Sequence, residues 1–343
     1  MKAMSGPPSL PNVNTVIKDG HFRYDIAMPE LPEVETIRRG LSPRIRGTRI
    51  LDVRTREARV FQLPTKHLRL KLRGRSIDEV NRIGKYLIFG LDHGYLVFHL
   101  GMTGQLTLRT PSGKDAPRFI RHPVTGLQRT RQHAPDQHTH LILQLDHGVE
   151  LLYRDPRKFG KIFWLRSEPE SLSRFFSKLG PDPFSGAYQE HEILKRMKGR
   201  KVSAKALLLD QSFVAGLGNI YADETLFVSR IHPLRRTDTL RKYERLRIFK
   251  MIPRVLAKGV HFGGTSLRDY IDSDGERGTH QERLFVYGRA GQPCVQCGYP
   301  ITRIVVAQRG THFCRVCQPR SKPVPGDLDW TIFDENNEPY PLP

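Results

Sequence analysis

The sequence predicts an α+β protein of several domains, and three observations lead to this prediction. Short apolar runs separated by Asp-His-Gly turns fill much of residues 50–165, a pattern typical of antiparallel β-structure. Helical periodicity replaces it from about residue 168 to residue 271. Two Cys-x2-Cys pairs then follow with the spacing of a zinc site. We therefore expect a β-domain, a helical domain and a small metal-bound hairpin.

The composition indicates a folded protein whose partner is a polyanion. The chain has 343 residues, of which 38% are hydrophobic, and this length is enough for about two domains with cores of their own. Lys and Arg number 56 against 35 Asp and Glu, so the formal net charge is +21. Such a surplus favours DNA or RNA over an anionic membrane surface. No apolar run reaches about 18 residues, so we predict no membrane-spanning helix.

The two ends of the chain lack the periodicity of folded elements. Residues 1–27 contain no apolar stretch of the kind found in signal peptides. We expect them to be a disordered extension, or the result of a start codon assigned too early. Residues 319–343 are rich in proline and acidic side chains, and we expect a disordered acidic tail.

The predicted first domain spans residues 28–165. Pro32 and apolar residues at helical spacing predict an amphipathic helix that ends near Gly47. Five strands are expected after it, at residues 86–91, 95–100, 141–145, 149–153 and 161–165. This pattern is typical of an antiparallel sandwich or barrel. The Pro-, Gly- and Arg-rich stretch 109–131 is predicted to be a surface loop.

The predicted second domain, residues 168–283, is helical. Within it, residues 227–258 contain ten Lys and Arg side chains but only Asp238 and Glu244 as acids. Two interpretations fit this charge pattern: a solvated helix face, or a surface that binds nucleic acid.

Four cysteines predict a structural zinc site in a third domain, residues 284–318. They are Cys294, Cys297, Cys314 and Cys317. Each pair places two thiolates on one turn, and four thiolates complete a tetrahedral Zn²⁺ site without an open position for catalysis. Residues 301–308 alternate like a strand and residues 311–313 provide its return, so we expect a hairpin. The alternatives are two disulfides or four cysteines that are unrelated to one another. Residues 288–326 carry six basic and no acidic side chains, as expected of a DNA-contacting finger.

The segment that starts at Met28 offers a candidate for covalent chemistry. If Met28 is the initiator and is removed, Pro29 becomes an N-terminal secondary amine with a pKa of about 8. Such an amine can attack a sugar carbon and form a Schiff base. Glu30 is then the adjacent general acid and base. A helix start with prolines and acids is the simpler interpretation of this segment taken alone.

Several motifs in order resemble those of formamidopyrimidine-DNA glycosylases over most of residues 28–317. They are MPELPEVET at 28–36, GKY at 84–86, HLGMTG at 99–104, DPRKFG at 155–160, GLGNIYADE at 216–224, GGT at 263–265, SDG at 273–275, VYGR at 286–289 and AQR at 307–309, with the four cysteines. The resemblance implies an N-terminal antiparallel β-sandwich with a flanking helix, a helix–two-turn–helix domain and a zinc finger. It also implies base-excision repair: removal of 8-oxoguanine and formamidopyrimidines from double-stranded DNA, then cleavage at the abasic site by β,δ-elimination.

The resemblance assigns a role to each matching residue. Pro29 matches the nucleophile on C1′, and Glu30 matches the general acid and base. Lys85 and Arg309 match residues that hold phosphates of the DNA, and we include both among the predicted catalytic residues. His99, Lys205 and Asn219 are expected at the DNA. The residues that match those filling the space left by the flipped nucleotide are Met102, Arg157 and Phe159. Without the resemblance, Met102 and Phe159 are better interpreted as core residues.

Two features depart from the family pattern. Residues 1–27 leave the Pro29 nitrogen in an amide bond, so we expect translation to begin at Met28. Residues 278–284 lack an aromatic side chain that is often found there, which affects the expected base preference. Two alternatives stay open: an endonuclease VIII-like glycosylase for oxidised pyrimidines, and a catalytically inactive zinc-containing binder of damaged DNA. In each case we expect a cytoplasmic, nucleoid-associated monomer.

Overall fold

The computed structural model describes residues 28–56, 58–109, 134–168, 170–267, 270–321, 340 and 342. The predicted extension 1–27, nearly all of the predicted loop 109–131 and most of the predicted tail 319–343 lie outside these residues. None of the described helices has both the length and the apolar character needed to cross a bilayer.

Two four-stranded antiparallel sheets form the N-terminal domain. The strands are β1 (Ile50–Thr55), β2 (Ile77–Ile83), β3 (Tyr86–Leu91), β4 (Tyr95–His99), β5 (Gln105–Arg109), β6 (Thr139–Leu145), β7 (Glu150–Arg154) and β8 (Lys161–Leu165). One sheet has the order β1-β6-β7-β5, and the other has the order β2-β3-β4-β8. The predicted α+β fold class is confirmed, and the β-domain is a sandwich of two sheets.

Apolar side chains from both sheets and from one helix fill the sandwich. Helix α1 (Leu31–Ile45) buries Val34, Ile37 and Leu41 against this core, as its helical spacing predicts. The rings of Phe89 and Phe98 lie 5.1 Å apart at its centre. Helix α2 (Thr65–Leu72), which we did not predict, covers one side of the core with Leu68 and Leu72. Because α1 is buried in this core, its first turn is held in place, and with it the position of Pro29 and Glu30 just before the helix.

The helical domain is built around one helix that is buried almost throughout. Its helices are α3 (Ser171–Phe175), α4 (Glu190–Met197), α5 (Ala204–Leu209), α6 (Asn219–Val228) and α7 (Lys242–His261). In α6, residues 220–228 are all buried. Leu31 at the start of α1 also belongs to this second core. The two domains are therefore in direct contact where α1 begins.

A two-stranded hairpin completes the described fold. Strands β9 (Thr302–Val306) and β10 (Arg309–Phe313) pair in antiparallel register. The two turn residues, Ala307 and Gln308, both have positive φ, at 49° and 60°. This is the geometry of a tight two-residue hairpin turn that usually contains glycine or asparagine. The turn places Arg309 at the tip of the hairpin.

Candidate active site and nucleic-acid interface

The Glu30 carboxylate joins the two larger domains at the N-terminus of α6. Its oxygens accept hydrogen bonds from the backbone N–H groups of Gly218, at 2.5 Å, and Ile220, at 2.9 Å. The unpaired N–H groups at a helix N-terminus favour a negative charge. A Cβ atom at position 218 would lie 2.4 Å from Glu30 Cδ, so this close approach requires glycine. The residue after Pro29 is thus anchored in the other domain.

The turn between β2 and β3 places the Lys85 ammonium group close to this carboxylate. Gly84 adopts a φ of +56°, and its N–H donates to Asp182 at 2.7 Å, which fixes the turn against the helical domain. Lys85 is only 7% exposed. Within the described ranges it makes no hydrogen bond or ion pair, which leaves a buried ammonium group able to receive a phosphate.

Burial and charge act in opposite directions on these two groups. Burial raises the pKa of Glu30, whereas the charge of Lys85 and the α6 amides lower it. Burial lowers the pKa of Lys85, the carboxylates of Glu30 and Glu33 oppose this, and the charge of Arg309 lowers it further. Each group therefore favours the charged form of the other in a site largely removed from water.

Glu33 is a functional candidate that our sequence interpretation did not select. Its carboxylate accepts from the Glu30 N–H at 2.8 Å, from the Tyr221 hydroxyl at 2.7 Å and from the Thr265 N–H at 2.7 Å. Burial, followed by the charge of Glu30, raises the pKa of Glu33 to about 7. The sequence contained a signal for this contact. A glutamate at the third position of a helix often accepts a hydrogen bond from the backbone N–H of the residue that precedes the helix.

His99, the last residue of β4, lies on the Lys85 side of the site. Its ring packs against the ring of Tyr86, with centroids 4.8 Å apart. Burial, and then the charge of Lys85, lowers the pKa of His99 to about 4. At neutral pH, His99 is therefore an uncharged hydrogen-bonding group.

Two packed turns present the side chains that we predicted to fill the space of a flipped nucleotide. Met102 is half-buried, whereas Phe159 is 48% exposed and the Arg157 guanidinium lies 4.7 Å from the centre of its ring. The turns touch at Gly101, where a Cβ atom would lie 2.6 Å from the Gly160 nitrogen. An exposed aromatic ring with a guanidinium group close to its face is suited to contact with unstacked bases.

The Asp155 carboxylate holds the second of these turns in shape. It accepts from the Thr103 hydroxyl at 2.5 Å and from the Gly160 N–H at 2.8 Å. It also accepts from the Arg157 N–H at 3.3 Å. Because Thr103 belongs to the first turn, Asp155 fixes the two turns relative to each other.

The start of α6 and the tip of the hairpin meet at the same site. The Asn219 side-chain amide donates to the Gly310 carbonyl at 3.0 Å, while its side-chain oxygen is buried and has no hydrogen-bond partner among the described residues. Arg309, beside Gly310, is exposed. The predicted residues Glu30, Lys85, Asn219 and Arg309 are therefore brought together from three parts of the chain.

The structure corrects the role that we predicted for Lys205. Its side chain is fully buried, and the ammonium group donates to Asp223 at 2.6 Å and to the Asn219 carbonyl at 2.8 Å. Asp223 also accepts from the His312 N–H of the hairpin, at 2.8 Å. An ammonium group enclosed in this way has no access to a phosphate. Lys205 instead links α5, α6 and the hairpin.

The four cysteines form a structural Zn²⁺ site. Their Sγ atoms all lie within 4.8 Å of one another, and all four are free thiols rather than disulfides. The Cys294–Cys317 and Cys297–Cys314 sulfur atoms are 3.9 Å and 3.4 Å apart. Four Zn–S bonds of about 2.3 Å in a tetrahedron require sulfur atoms at about 3.8 Å. The donor set therefore fits zinc, and it leaves no open position on the metal.

Removal of zinc by a chelator should weaken DNA binding by about tenfold or more. Without the metal, the hairpin loses its fixed geometry, and the loss of one charged hydrogen bond costs about 1.5–3 kcal/mol. Fluorescence anisotropy with a duplex measures the affinity, and far-UV circular dichroism checks that the helices persist. Zinc added back is the control, and unchanged affinity of the metal-free protein would contradict a binding role for the hairpin.

Family models match three successive parts of the chain. The formamidopyrimidine-DNA glycosylase N-terminal domain matches residues 28–162. The formamidopyrimidine-DNA glycosylase H2TH domain matches residues 179–270. The zinc finger found in FPG and IleRS matches residues 291–320. The order of the three matches is the order of the sandwich, the helices and the hairpin.

Curated relatives and solved structures are similar over the same length. The formamidopyrimidine-DNA glycosylase of Heliobacterium modesticaldum is 43% identical, covering 85% of this chain and 100% of that protein. That of Symbiobacterium thermophilum is 42% identical, covering 85% and 90%. A complex of Lactococcus lactis Fpg with N7-benzyl-Fapy-dG DNA has 36% identity and a TM-score of 0.73, covering 85% and 100%. A complex of Lactococcus lactis Fpg with abasic-site DNA also has a TM-score of 0.73 and 36% identity, covering 84% and 99%.

Proposed function

The chain belongs to the formamidopyrimidine-DNA glycosylase family, and on this basis we propose that Pro29 is the nucleophile of its reaction. It is a base-excision repair enzyme that removes oxidised purines and cleaves the resulting abasic site. Its partner is duplex DNA with damaged bases or abasic sites, bound by a monomer. The comparisons do not favour the two alternatives. We further propose a cytoplasmic location beside the nucleoid.

The position of Glu30 is the observation that supports Pro29 most strongly. Glu30 is 2% exposed and is held by α6 amides close to the charge of Lys85. Pro29 is its neighbour and is also buried. In the proposed step, the Pro29 nitrogen forms a bond to C1′ as the bond to the base breaks, and Glu30 takes up and returns protons. Opening of the C1′–O4′ bond, with a proton delivered to O4′, converts this adduct to the iminium. Loss of a C2′ proton then expels the 3′ phosphate, and a second elimination expels the 5′ phosphate.

The surrounding residues suit the DNA backbone and the gap left by the flipped nucleotide. We propose that Lys85, His99, Asn219 and Arg309 bind phosphates around the lesion. Lys85 and Arg309 bring positive charge to the site, and the charge of Arg309 is felt at Lys85, where it lowers the pKa. We propose that Met102, Arg157 and Phe159 enter the duplex, which compensates part of the stacking that base flipping removes. The division into domains 28–165, 168–283 and 284–318 remains part of this proposal.

The identity of the mature N-terminus decides whether this proposal is correct. Protein translated from Met28, with the methionine removed, should form a borohydride-trapped adduct with a duplex that contains 8-oxoguanine opposite cytosine. Protein that retains residues 1–28 should form none, because its Pro29 nitrogen is an amide. Among the described residues, the cores of the two larger domains begin at Leu31, so omission of residues 1–28 removes none of these core contacts.

Intact mass spectrometry of both proteins, and of protein from the native host, establishes which N-terminus is present. A Pro29→Gly variant translated from Met28 keeps a primary amine and provides a matched control with altered nucleophilicity. Efficient trapping by protein whose intact mass includes residues 1–28 would exclude Pro29 as the nucleophile.

A further inference from the structure

A continuous line of buried hydrogen bonds runs from the loop after α7 to the backbone of Glu30. We call residues 262–284 the post-α7 loop. The contacts are His280 Nδ1 to Thr265 Oγ1 at 3.1 Å, Thr265 Oγ1 to the Tyr221 hydroxyl at 3.2 Å, the Tyr221 hydroxyl to Glu33 at 2.7 Å, and the Glu30 N–H to Glu33 at 2.8 Å. All four contacts are buried. They connect residues that lie up to 250 positions apart in the sequence.

When Glu33 is ionised, the hydrogens along this line have one consistent direction; a proton on Glu33, whose pKa is about 7, permits the reverse direction. The ionised Glu33 carboxylate accepts, so the single hydroxyl hydrogen of Tyr221 points to it. The Tyr221 oxygen then accepts from the Thr265 hydroxyl, whose oxygen in turn accepts from His280 Nδ1–H. This assignment fixes the tautomer of His280. Burial lowers the pKa of His280 to about 3, so the ring is neutral, as the line requires.

The post-α7 loop is packed directly against Glu33. The Thr265 N–H donates to the Glu33 carboxylate at 2.7 Å, so Thr265 reaches Glu33 both directly and through Tyr221. A Cβ atom at Gly264 would lie 3.0 Å from Glu33 Cγ. The His280 ring stacks on the Tyr221 ring with centroids 5.5 Å apart. Little movement of the loop is therefore available without a movement of Glu33.

Glu33 in turn holds the peptide group that joins Pro29 to Glu30. The N–H of this planar peptide points to Glu33, while the Glu30 side chain is held by α6. The Pro29 nitrogen is attached to the same peptide through one Cα atom. The direction of its lone pair thus depends on the position of Glu33.

We propose that Thr265 is a positioning residue that aims the Pro29 nitrogen through Tyr221 and Glu33. The inference rests on the proposed function, in which Pro29 is the nucleophile. Its consequence is that the Thr265 hydroxyl affects both chemical steps, because both depend on the direction of the Pro29 nitrogen.

The test uses protein translated from Met28 and two duplexes, one with 8-oxoguanine and one with a preformed abasic site. Thr265→Val removes the hydroxyl at nearly constant size. It should slow base excision and abasic-site cleavage by the same factor of about 5–100, since one buried hydrogen bond contributes about 1–3 kcal/mol. Thr265→Ser should restore both single-turnover rates to within about twofold, because it returns the hydroxyl.

Ser266→Ala is the matched control, because it removes the neighbouring hydroxyl of the same loop. That hydroxyl donates to the Tyr270 carbonyl and accepts from the Gly278 N–H, and it has no contact with Tyr221 or Glu33. Both rates should stay within about twofold of those of the unmodified protein. Tyr221→Phe interrupts the line at a second point and should slow both steps as Thr265→Val does. The double variant should be no slower than the slower single variant.

The outcomes separate this inference from the proposed function. Slowing of base excision alone would mean that Thr265 acts on the damaged base, and an equal effect of Ser266→Ala would mean that it acts through general loop order. Either result overturns the inference while the unmodified protein still forms a trapped adduct. Absence of an adduct with the unmodified protein overturns the proposed function, and the inference with it. Thermal unfolding of each variant confirms that the rates refer to folded protein.

Discussion

Glu30→Gln should lower the rate of base excision by about 10²- to 10⁴-fold, because it removes the group that transfers protons beside the nucleophile. A second effect acts in the same direction. Both Glu30 oxygens accept from α6 amides, and glutamine offers only one acceptor, so its NH₂ group must face a backbone N–H. The measurement is single-turnover release of 8-oxoguanine from a duplex, in protein translated from Met28.

Glu192→Gln is the control for Glu30→Gln. Glu192 lies on α4, is about one-third exposed and pairs with Arg196 four residues later. The same chemical change there should leave excision within about twofold, since exposed ion pairs contribute little. Excision by Glu30→Gln at the rate of the unmodified protein would exclude Glu30 as the general acid and base.

Lys205→Met should lower the free energy of unfolding by about 3–5 kcal/mol, the largest stability effect that we expect from one substitution. Lys205 and Asp223 are both completely buried, so loss of the ammonium group leaves the Asp223 carboxylate without its cation and without access to water, with His312 as its remaining partner among the described residues. The Asn219 carbonyl loses a donor as well. Urea unfolding of the unmodified and variant proteins measures the difference, and Lys198→Met, at an exposed position after α4, is the control.

The same variant distinguishes a structural role from a phosphate contact. At a temperature where both proteins are folded, Lys205→Met should leave the salt dependence of DNA affinity unchanged. Lys85→Met should reduce the slope of log K against log salt by about 0.9, the value for one phosphate contact. A reduced slope for Lys205→Met would restore the phosphate contact that we first predicted for it.

Local patterns were sufficient to predict five of the eight strands of the sandwich and the metal ligands, whereas β1, β2 and β5 were not predicted. Alternating apolar residues and Asp-His-Gly turns located β3, β4, β6, β7 and β8, and the observed bounds differ from the predicted ones by at most two residues. The cysteine spacing located the zinc site in the same way. Each of these signals depends on side chains close together in sequence, which a periodic pattern can record. Helix α2 gave no comparable signal, because most of its surface is exposed and basic.

The roles of individual polar residues were harder to predict because they depend on distant contacts. Lys85 makes no hydrogen bond or ion pair with the described residues, whereas the Lys205 ammonium group is enclosed by Asp223, and the neighbouring sequence of neither lysine signals this difference. Glu33 meets Tyr221 and Thr265 across 188 and 232 positions. A short-range sequence pattern cannot predict contacts between residues so far apart in the chain. The sequence therefore led to the proposed nucleophile, Pro29, but not to Glu33, Tyr221 and Thr265, which contact one another beside it.

The carboxylate that caps α6 makes the two large domains chemically inseparable. The proposed nucleophile and general acid lie in the first domain, but the amides that hold the Glu30 carboxylate belong to the second. A fragment that ends with the sandwich would carry both reactive groups and still lack a working centre. The contact between Glu30 and Gly218 must therefore be preserved first when domains are exchanged between relatives or when this chain is divided for engineering.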